Sequence, residues 1–330
     1  KKRPLFNPNG DIQVQKRKMI GGNTTNLNDF NNMKYTWVSG WYRQAMNNFW
    51  IPEEINLGVD IKDYRNLPKA EKRAYDKILS FLIFLDSIQT ANLPGISEYI
   101  TANEVNLCLS IQAFQEAVHS QSYSYMLDTI CEPQERNEVL YQWKEDEHLL
   151  ARNEFIGNLY NAFQTEKSME MLVKTIVANY ILEGIYFYSG FMFFYNLGRN
   201  QLMPGSVQEI RYINRDENTH LWLFRNILIE LKKEQPDLFT EQYIDEYRSM
   251  IKEGCEQEIT MVYSPRKSQS ISRSGCSFSG AGKGTLMGDS LSNIPAVSPD
   301  RKIGNDCFRL CSTASTICFT KSSSRSLVSR

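Results

Sequence analysis

The sequence has little of what marks a secreted, membrane-bound or nucleic-acid-binding protein. Only seven cysteines occur in 330 residues, and the first 261 residues lack the paired cysteine spacing of a disulfide framework. The formal net charge is -1, so the chain lacks the excess of positive charge that binds nucleic acid. The basic N-terminus is not followed by an apolar segment, which argues against a signal peptide. We therefore expect a cytoplasmic protein that binds neither nucleic acid nor a membrane.

One apolar run has the length of a membrane span. Residues 175–197 contain a single charged residue, Glu183, in 23 positions, and about 20 apolar residues cross a bilayer core. The run also contains Asn179 and Asn196, and no second run of this kind occurs in the sequence. These features favour a buried helix of a large bundle over a membrane span.

From residue 35 onward, apolar residues recur at spacings of three and four, which predicts an all-α protein. Proline and glycine residues, among them Pro94, mark the expected helix ends. The candidate helices cover roughly residues 35–50, 69–92, 102–130, 134–162, 167–197, 204–233 and 240–260. We expect three parts: an extended N-terminal segment, 1–34; a helical domain, 35–261; and an atypical tail, 262–330.

The tail differs sharply in composition from the rest of the chain. Residues 262–330 contain 17 serines, and ten Lys or Arg residues against three Asp and no Glu. A polar, serine-rich segment of this kind is ordinarily disordered. The abrupt change near residues 260–262 also raises the hypothesis of a lost reading frame. Translation of the coding DNA in all three frames tests this hypothesis, and the absence of a helical continuation in another frame would contradict it.

Carboxylate and histidine residues follow one pattern twice: a lone carboxylate and then, 30 or 34 residues later, a Glu-x-x-His pair. Residues i and i+3 share a helix face, so the Glu and His of a pair can reach one metal ion. Two packed helical hairpins would bring both sets together, as in ferritin-like dimetal bundles. Such an oxygen-rich ligand set favours Fe or Mn over structural Zn. The sets are Asp86 with Glu116 and His119, and Glu183 with Glu217 and His220.

The surroundings of the two lone carboxylates strengthen the prediction of a metal centre. Asp86 directly follows the apolar segment 78–85, and Glu183 lies within the apolar run described above. Neither segment contains Lys or Arg, although unpaired buried charges cost several kcal/mol each. Two divalent cations would compensate these charges.

A third Glu-x-x-His pair, Glu145 with His148, serves as a comparison. Charged residues surround it, among them Lys144, Glu147 and Arg152. We interpret this segment as the solvent-exposed face of a helix and expect no metal there.

Two segments resemble the small subunit of class I ribonucleotide reductases: residues 116–123, EAVHSQSY, and residues 215–220, RDENTH. The resemblance extends from about Trp37 to about Glu258 and includes residues 50–54, WIPEE. It implies a ferritin-like helical bundle with a dimetal carboxylate centre of two Fe ions, two Mn ions or one of each. All six residues of the repeated pattern would be its ligands. It also implies a homodimer that works with a separate large catalytic subunit.

The resemblance further implies that the centre reacts with oxygen and oxidises Tyr123 to a stored radical. Tyr123 follows His119 by four residues and so shares its helix face. The radical would pass to the large subunit, which reduces ribonucleotides to deoxyribonucleotides. The implied radical pocket is Phe187, Phe191 and Ile213, and the implied transfer route is His119, Asp216 and Trp50.

Taken singly, these residues have simpler interpretations. Tyr123 and Trp50 could be core aromatics, and Asp216 could pair with Arg215. A ligand-binding oxidase and a metal-storage protein could use the same six ligands, although Trp50, Asp216 and Tyr123 together favour the reductase subunit. The tail lacks the acidic, hydrophobic terminal peptide of the family, and Tyr263 is its only tyrosine. We therefore expect weak binding to the large subunit.

Overall fold

Helices dominate the part of the chain that the computed structural model describes, residues 2–263. The expectations for residues 264–330 lie outside the described residues, and the division into three parts stays a prediction. Between residues 2 and 263, β-structure is limited to two isolated bridges. The helices are α1 Trp37–Asn47, α2 Gly58–Asn66, α3 Lys69–Ser97, α4 Asn103–Ile130, α5 Pro133–Tyr141, α6 Glu147–Glu166, α7 Met169–Ile181, α8 Phe187–Arg199, α9 Pro204–Glu234 and α10 Glu241–Tyr263.

Four long helical rods form the centre of the bundle. Helices α3 and α4 pack along each other, and α9 packs against α4, α7 and α8. The fourth rod is α7 and α8 joined by a π-helical turn, Leu182–Tyr186. Apolar residues on the facing sides form one continuous core, which buries the inner surface of every rod. The all-α, ferritin-like fold is therefore confirmed.

The beginning of α9 is fixed by a carboxylate from another helix. Asp60 of α2 accepts hydrogen bonds from the backbone N–H groups of Gly205 and Ser206, at 2.9 and 2.7 Å. Pro204 occupies the first turn, where a missing N–H costs nothing. The cap satisfies donors that a helix leaves open at its N-terminus, and it fixes the rod that carries Glu217 and His220.

The structure corrects the expected helices at three places. The expected end at Pro94 is wrong, because α3 continues to Ser97; so close to the helix end, proline removes one backbone bond without breaking the last turn. The expected helix 134–162 is interrupted, and Asp146 caps the new start through the N–H groups of His148 and Leu149. Helix α2 was not expected at all.

The apolar run 175–197 lies in the core as a buried helical rod, as the sequence favoured. Among the described helices, none combines the length and the apolar character that a membrane span requires.

Candidate metal centre

Each of the four rods contributes to one buried cluster of carboxylates and imidazoles. Its six side chains are between 0% and 3% exposed. They form two overlapping groups, and the candidate ligand atoms of each group lie within 4.8 Å of one another. The first group is Asp86, Glu116, His119 and Glu217. The second group is Glu116, Glu183, Glu217 and His220.

The two histidines present the same ring nitrogen to the centre. Nδ1 of His119 lies 3.4 Å from Glu116 Oε2 and 3.1 Å from Glu217 Oε1. Nδ1 of His220 lies 3.3 Å from Glu116 Oε1 and 3.2 Å from Glu217 Oε2. Glu116 and Glu217 thus each place one carboxylate oxygen near His119 and the other near His220. We call these two sides the two halves of the cluster. Both carboxylates could therefore help to hold two ions, one beside each histidine.

The lone carboxylates complete the two halves from opposite sides. Asp86 Oδ2 lies 3.9 Å from His119 Nδ1, and Glu183 Oε2 lies 4.0 Å from His220 Nδ1. Burial raises the pKa of Asp86 well above its usual range, and the charges of Glu116 and Glu217 raise it further. Burial likewise raises the pKa of Glu183, although His220 opposes the change. The protein itself therefore supplies too little positive charge to compensate these two carboxylates when they are ionised.

The donor atoms of the cluster fit metal ions. Unsatisfied polar atoms are rare in protein interiors and call for an explanation. Divalent Fe or Mn accepts carboxylate oxygen and imidazole nitrogen as ligands, so the cluster is suited to a dimetal site. The atoms without a hydrogen-bond partner among the described residues are both carboxylate oxygens of Asp86 and of Glu116, His119 Nδ1, Glu183 Oε2 and Glu217 Oε1.

The outer nitrogens of the histidines have different partners. Nε2 of His119 lies 3.3 Å from Oδ2 of Asp216, and Trp50 donates its indole N–H to the same oxygen at 2.8 Å. Nε2 of His220 instead lies 3.0 Å from the amide oxygen of Gln115. Burial alone would raise the pKa of Asp216, but the hydrogen bonds from His119 and Trp50 hold it below its usual value.

Tyr123 lies one helical turn beyond His119 on α4 and is fully buried. Its hydroxyl lies beside the carboxylate of Asp86, on α3, and makes no hydrogen bond of 3.5 Å or shorter among the described residues. Burial, followed by the charges of Asp86 and Glu217, raises its pKa well above the usual value. The three residues expected around it are buried in the same apolar core: Phe187, Phe191 and Ile213.

The sequence interpretation missed three buried glutamines that contact the cluster. Gln89 and Gln112 donate to Glu183, and Gln115 contacts His220. A signal was present, because Gln89 follows Asp86 by three residues and Gln112 precedes Glu116 by four, which places each on the ligand face of its helix.

The comparison pair, Glu145 and His148, belongs to neither group of candidate ligands in the described part of the chain. The side chain of His148 is 30% exposed, but Glu145 precedes the start of α6 at Glu147, so the two residues do not share a helix face as expected. The interpretation of Arg152 as a solvent-exposed neighbour is wrong, because Arg152 is buried and pairs with Glu258 at 2.6 Å. Its ion-pair partner comes from α10, which local sequence could not indicate.

Comparison with known proteins gives one consistent result. The chain matches the family model "Ribonucleotide reductase, small chain" over residues 27–270. It is 77% identical over 258 residues to the ribonucleoside-diphosphate reductase subunit beta of Treponema pallidum, covering 78% of this chain and 74% of that one. The corresponding subunit of Halalkalibacterium halodurans is 40% identical over 242 residues, with 70% of each chain covered. The solved ribonucleotide reductase R2 subunit from Clostridium botulinum has a TM-score of 0.77 at 53% identity, covering 79% of this chain and 81% of that one.

Proposed function

The chain belongs to the ribonucleotide reductase small-chain family, and from this premise we propose that it holds two metal ions and stores a radical on Tyr123. As a ribonucleoside-diphosphate reductase beta subunit, it is part of an oxidoreductase. The observation that carries the proposal is the pair of overlapping ligand groups, whose inward atoms lack other partners. The proposed metal ligands are Asp86, Glu116, His119, Glu183, Glu217 and His220.

When bound, two Fe ions, two Mn ions or one of each would supply the oxidising power, drawn from oxygen, that side chains lack. Asp86 and His119 would hold one ion, and Glu183 and His220 the other. Glu116 and Glu217 lie between the two halves and would bridge them. Asp216 and Gln115 contact the outer nitrogens of the histidines and thereby keep each Nδ1 directed at the centre.

Tyr123 would lose one electron to the oxidant that the centre supplies and, together with it, its phenolic proton to the neighbouring carboxylate of Asp86. The raised pKa of Tyr123 keeps the hydroxyl protonated in the resting protein, so electron loss without proton loss would leave a positive charge in an apolar pocket. Burial also keeps water and reductants away from the ring. These properties suit a long-lived neutral radical, which the pocket of Phe187, Phe191 and Ile213 would protect.

The proposed route out of the centre is the hydrogen-bonded series His119, Asp216 and Trp50. Trp50 itself is only 4% exposed, but its neighbours Phe49 and Ile51 are 62% and 40% exposed. The series therefore ends close to the protein surface. A large catalytic subunit that docks there would receive the radical and reduce ribonucleotides, and the small subunit would act as a homodimer.

Electron paramagnetic resonance tests the proposal. Protein loaded anaerobically with Fe(II) or Mn(II) and then exposed to oxygen should show a tyrosyl signal, and Tyr123→Phe should abolish it. Tyr125→Phe is the matched control on the same helix, because its hydroxyl binds the backbone oxygen of Ile55 away from the cluster. Metal uptake without a tyrosyl signal would point to metal storage or to an oxidase instead. A signal that survives Tyr123→Phe would contradict the assignment of this residue.

A further inference from the structure

The two oxygens of Glu183 have different surroundings. Oε1 accepts hydrogen bonds from the side-chain amides of Gln89 and Gln112, at 2.6 and 2.9 Å. Oε2 has no hydrogen-bond partner among the described residues and lies on the side of His220. Both glutamines are fully buried, so water does not compete for these bonds. One oxygen is therefore engaged by the protein, and the other faces the centre.

A third residue contacts one of these amides. The Tyr160 hydroxyl, on α6, lies 2.9 Å from Oε1 of Gln89 and also contacts Oδ1 of Asn179, so its single proton serves two acceptors. Gln89 presents its NH₂ group to Glu183, because turning its amide oxygen there would set two acceptors against each other. Tyr160 is only 5% exposed. The series from Tyr160 through Gln89 to Glu183 thus connects α6 with two of the four rods inside the core.

The other lone carboxylate has different surroundings. Neither oxygen of Asp86 accepts a hydrogen bond from an amide among the described residues, although Asp86 occupies the corresponding place in the repeated sequence pattern. The donor beside Asp86 is the hydroxyl of Tyr123. The two halves of the cluster match in sequence but differ in the donors beside their lone carboxylates.

We propose that Gln89 and Gln112 are positioning residues that reserve Oε1 of Glu183 for amide donors, so that Glu183 offers only Oε2 to the ion it shares with His220. The inference rests on the proposed metal-binding function. Partners of this kind orient ligands and tune metal affinity. Two donors on one oxygen also withdraw charge from it and oppose rotation of the carboxylate.

A Mn(II) titration under anaerobic conditions tests this inference, with unbound Mn(II) measured by electron paramagnetic resonance. The wild-type protein should bind two ions per chain. In the double variant Gln89→Leu with Gln112→Leu, one ion should bind about 10- to 100-fold more weakly, and the other should keep its affinity. Gln121→Leu is the matched control, since Gln121 lies on α4 but donates to Glu53 at the surface. This control should bind both ions as the wild type does.

A crystal structure of the Mn-loaded protein supplies a second readout that a purely structural role would not change. Glu183 should bind through Oε2 alone in the wild type and through both oxygens in the double variant. If the double variant does not fold, Tyr160→Phe removes one hydroxyl and leaves both amides, and the same ion should still bind more weakly than in the wild type.

The outcomes separate the inference from the function on which it rests. If the wild type binds two ions, and a folded variant shows the same affinities and the same Glu183 coordination, the inference is overturned and the proposed function stands. Fewer than two ions in the wild type would overturn the proposed function together with it.

Discussion

The indole N–H of Trp50 donates a hydrogen bond of 2.8 Å to Oδ2 of Asp216, 166 positions later in the chain. The same oxygen lies 3.3 Å from Nε2 of His119, whose other ring nitrogen faces the cluster. One carboxylate oxygen thus connects a residue near the surface with a proposed metal ligand. All three side chains are buried, so the loss of either partner leaves Oδ2 of Asp216 with one hydrogen bond fewer, which water does not replace.

Replacement of Trp50 by Phe should separate radical formation from radical delivery. The variant keeps an aromatic ring but loses the N–H that binds Asp216. We expect a wild-type yield of the Tyr123 radical and a fall of ribonucleotide reduction to background. The radical is measured by electron paramagnetic resonance, and the deoxyribonucleotide product is measured with the large subunit in excess. Trp222→Phe is the control, because Trp222 lies on α9 and is 40% exposed; equal activity in the two variants would remove Trp50 from the route.

Removal of metal should destabilise the protein. Without ions, all four carboxylates of the cluster and the imidazole of His119 are buried with unsatisfied atoms. A ligand that binds only the folded state, at a thousand times its dissociation constant, stabilises by about 4 kcal/mol per site. Urea unfolding in Mn(II) and in excess chelator should differ by an amount of this order. An unfolding midpoint that does not depend on Mn(II) would show that the cluster binds no ion.

The candidate ligand set was predictable because helical geometry makes its spacing local. Glu116 and His119 are three residues apart, as are Glu217 and His220, and the lone carboxylates stand out because Asp86 and Glu183 interrupt apolar sequence. These signals need no knowledge of how the rods pack. The same holds for Tyr123, which follows His119 by one turn.

Features that depend on packing between distant segments were not predictable. The π-helical turn at Leu182–Tyr186 has no distinctive local sequence, although it carries Glu183. The sequence showed Arg152 among charged neighbours, but the side chain is buried between the rings of Phe81 and Tyr186, at 4.0 and 4.6 Å. Those rings belong to other segments, and periodicity within one segment contains no information about them.

A buried carboxyl outside the cluster should make stability depend on pH. Glu209 on α9 is fully buried, and burial, with smaller effects of Asp60 and Glu53, raises its pKa to about 9. The folded state therefore favours the protonated form, and the unfolded chain ionises near pH 4.5. The contribution of this group to stability is complete below pH 4.5 and declines as the pH rises toward 9, on the order of 1.4 kcal/mol per pH unit.

Glu209→Gln should remove this decline, because glutamine has no proton to lose. Urea unfolding of chelator-treated wild type and variant should give similar free energies near pH 5. At pH 8 the variant should be the more stable protein by a few kcal/mol, the order set by about 1.4 kcal/mol for each pH unit. Because both proteins contain the cluster, its titration cancels when their free energies of unfolding are subtracted. A difference that does not change between pH 5 and pH 8 would contradict the raised pKa of Glu209.

The ion pair of Arg152 and Glu258 should contribute more to stability than any surface pair of the described chain. Arg152 also donates to the carbonyl oxygen of Tyr186, at 3.1 Å, so it connects α6 and α10 to the π-helical turn. Because both charges are buried, Arg152→Met leaves the Glu258 carboxylate uncompensated, which costs about 3–5 kcal/mol. The control is Arg65→Met, which breaks an ion pair with Glu132 whose side chains are 64% and 74% exposed, and which should cost less than about 1 kcal/mol. Urea unfolding measures both changes, and equal costs would mean that the buried charge finds another partner when Arg152 is removed.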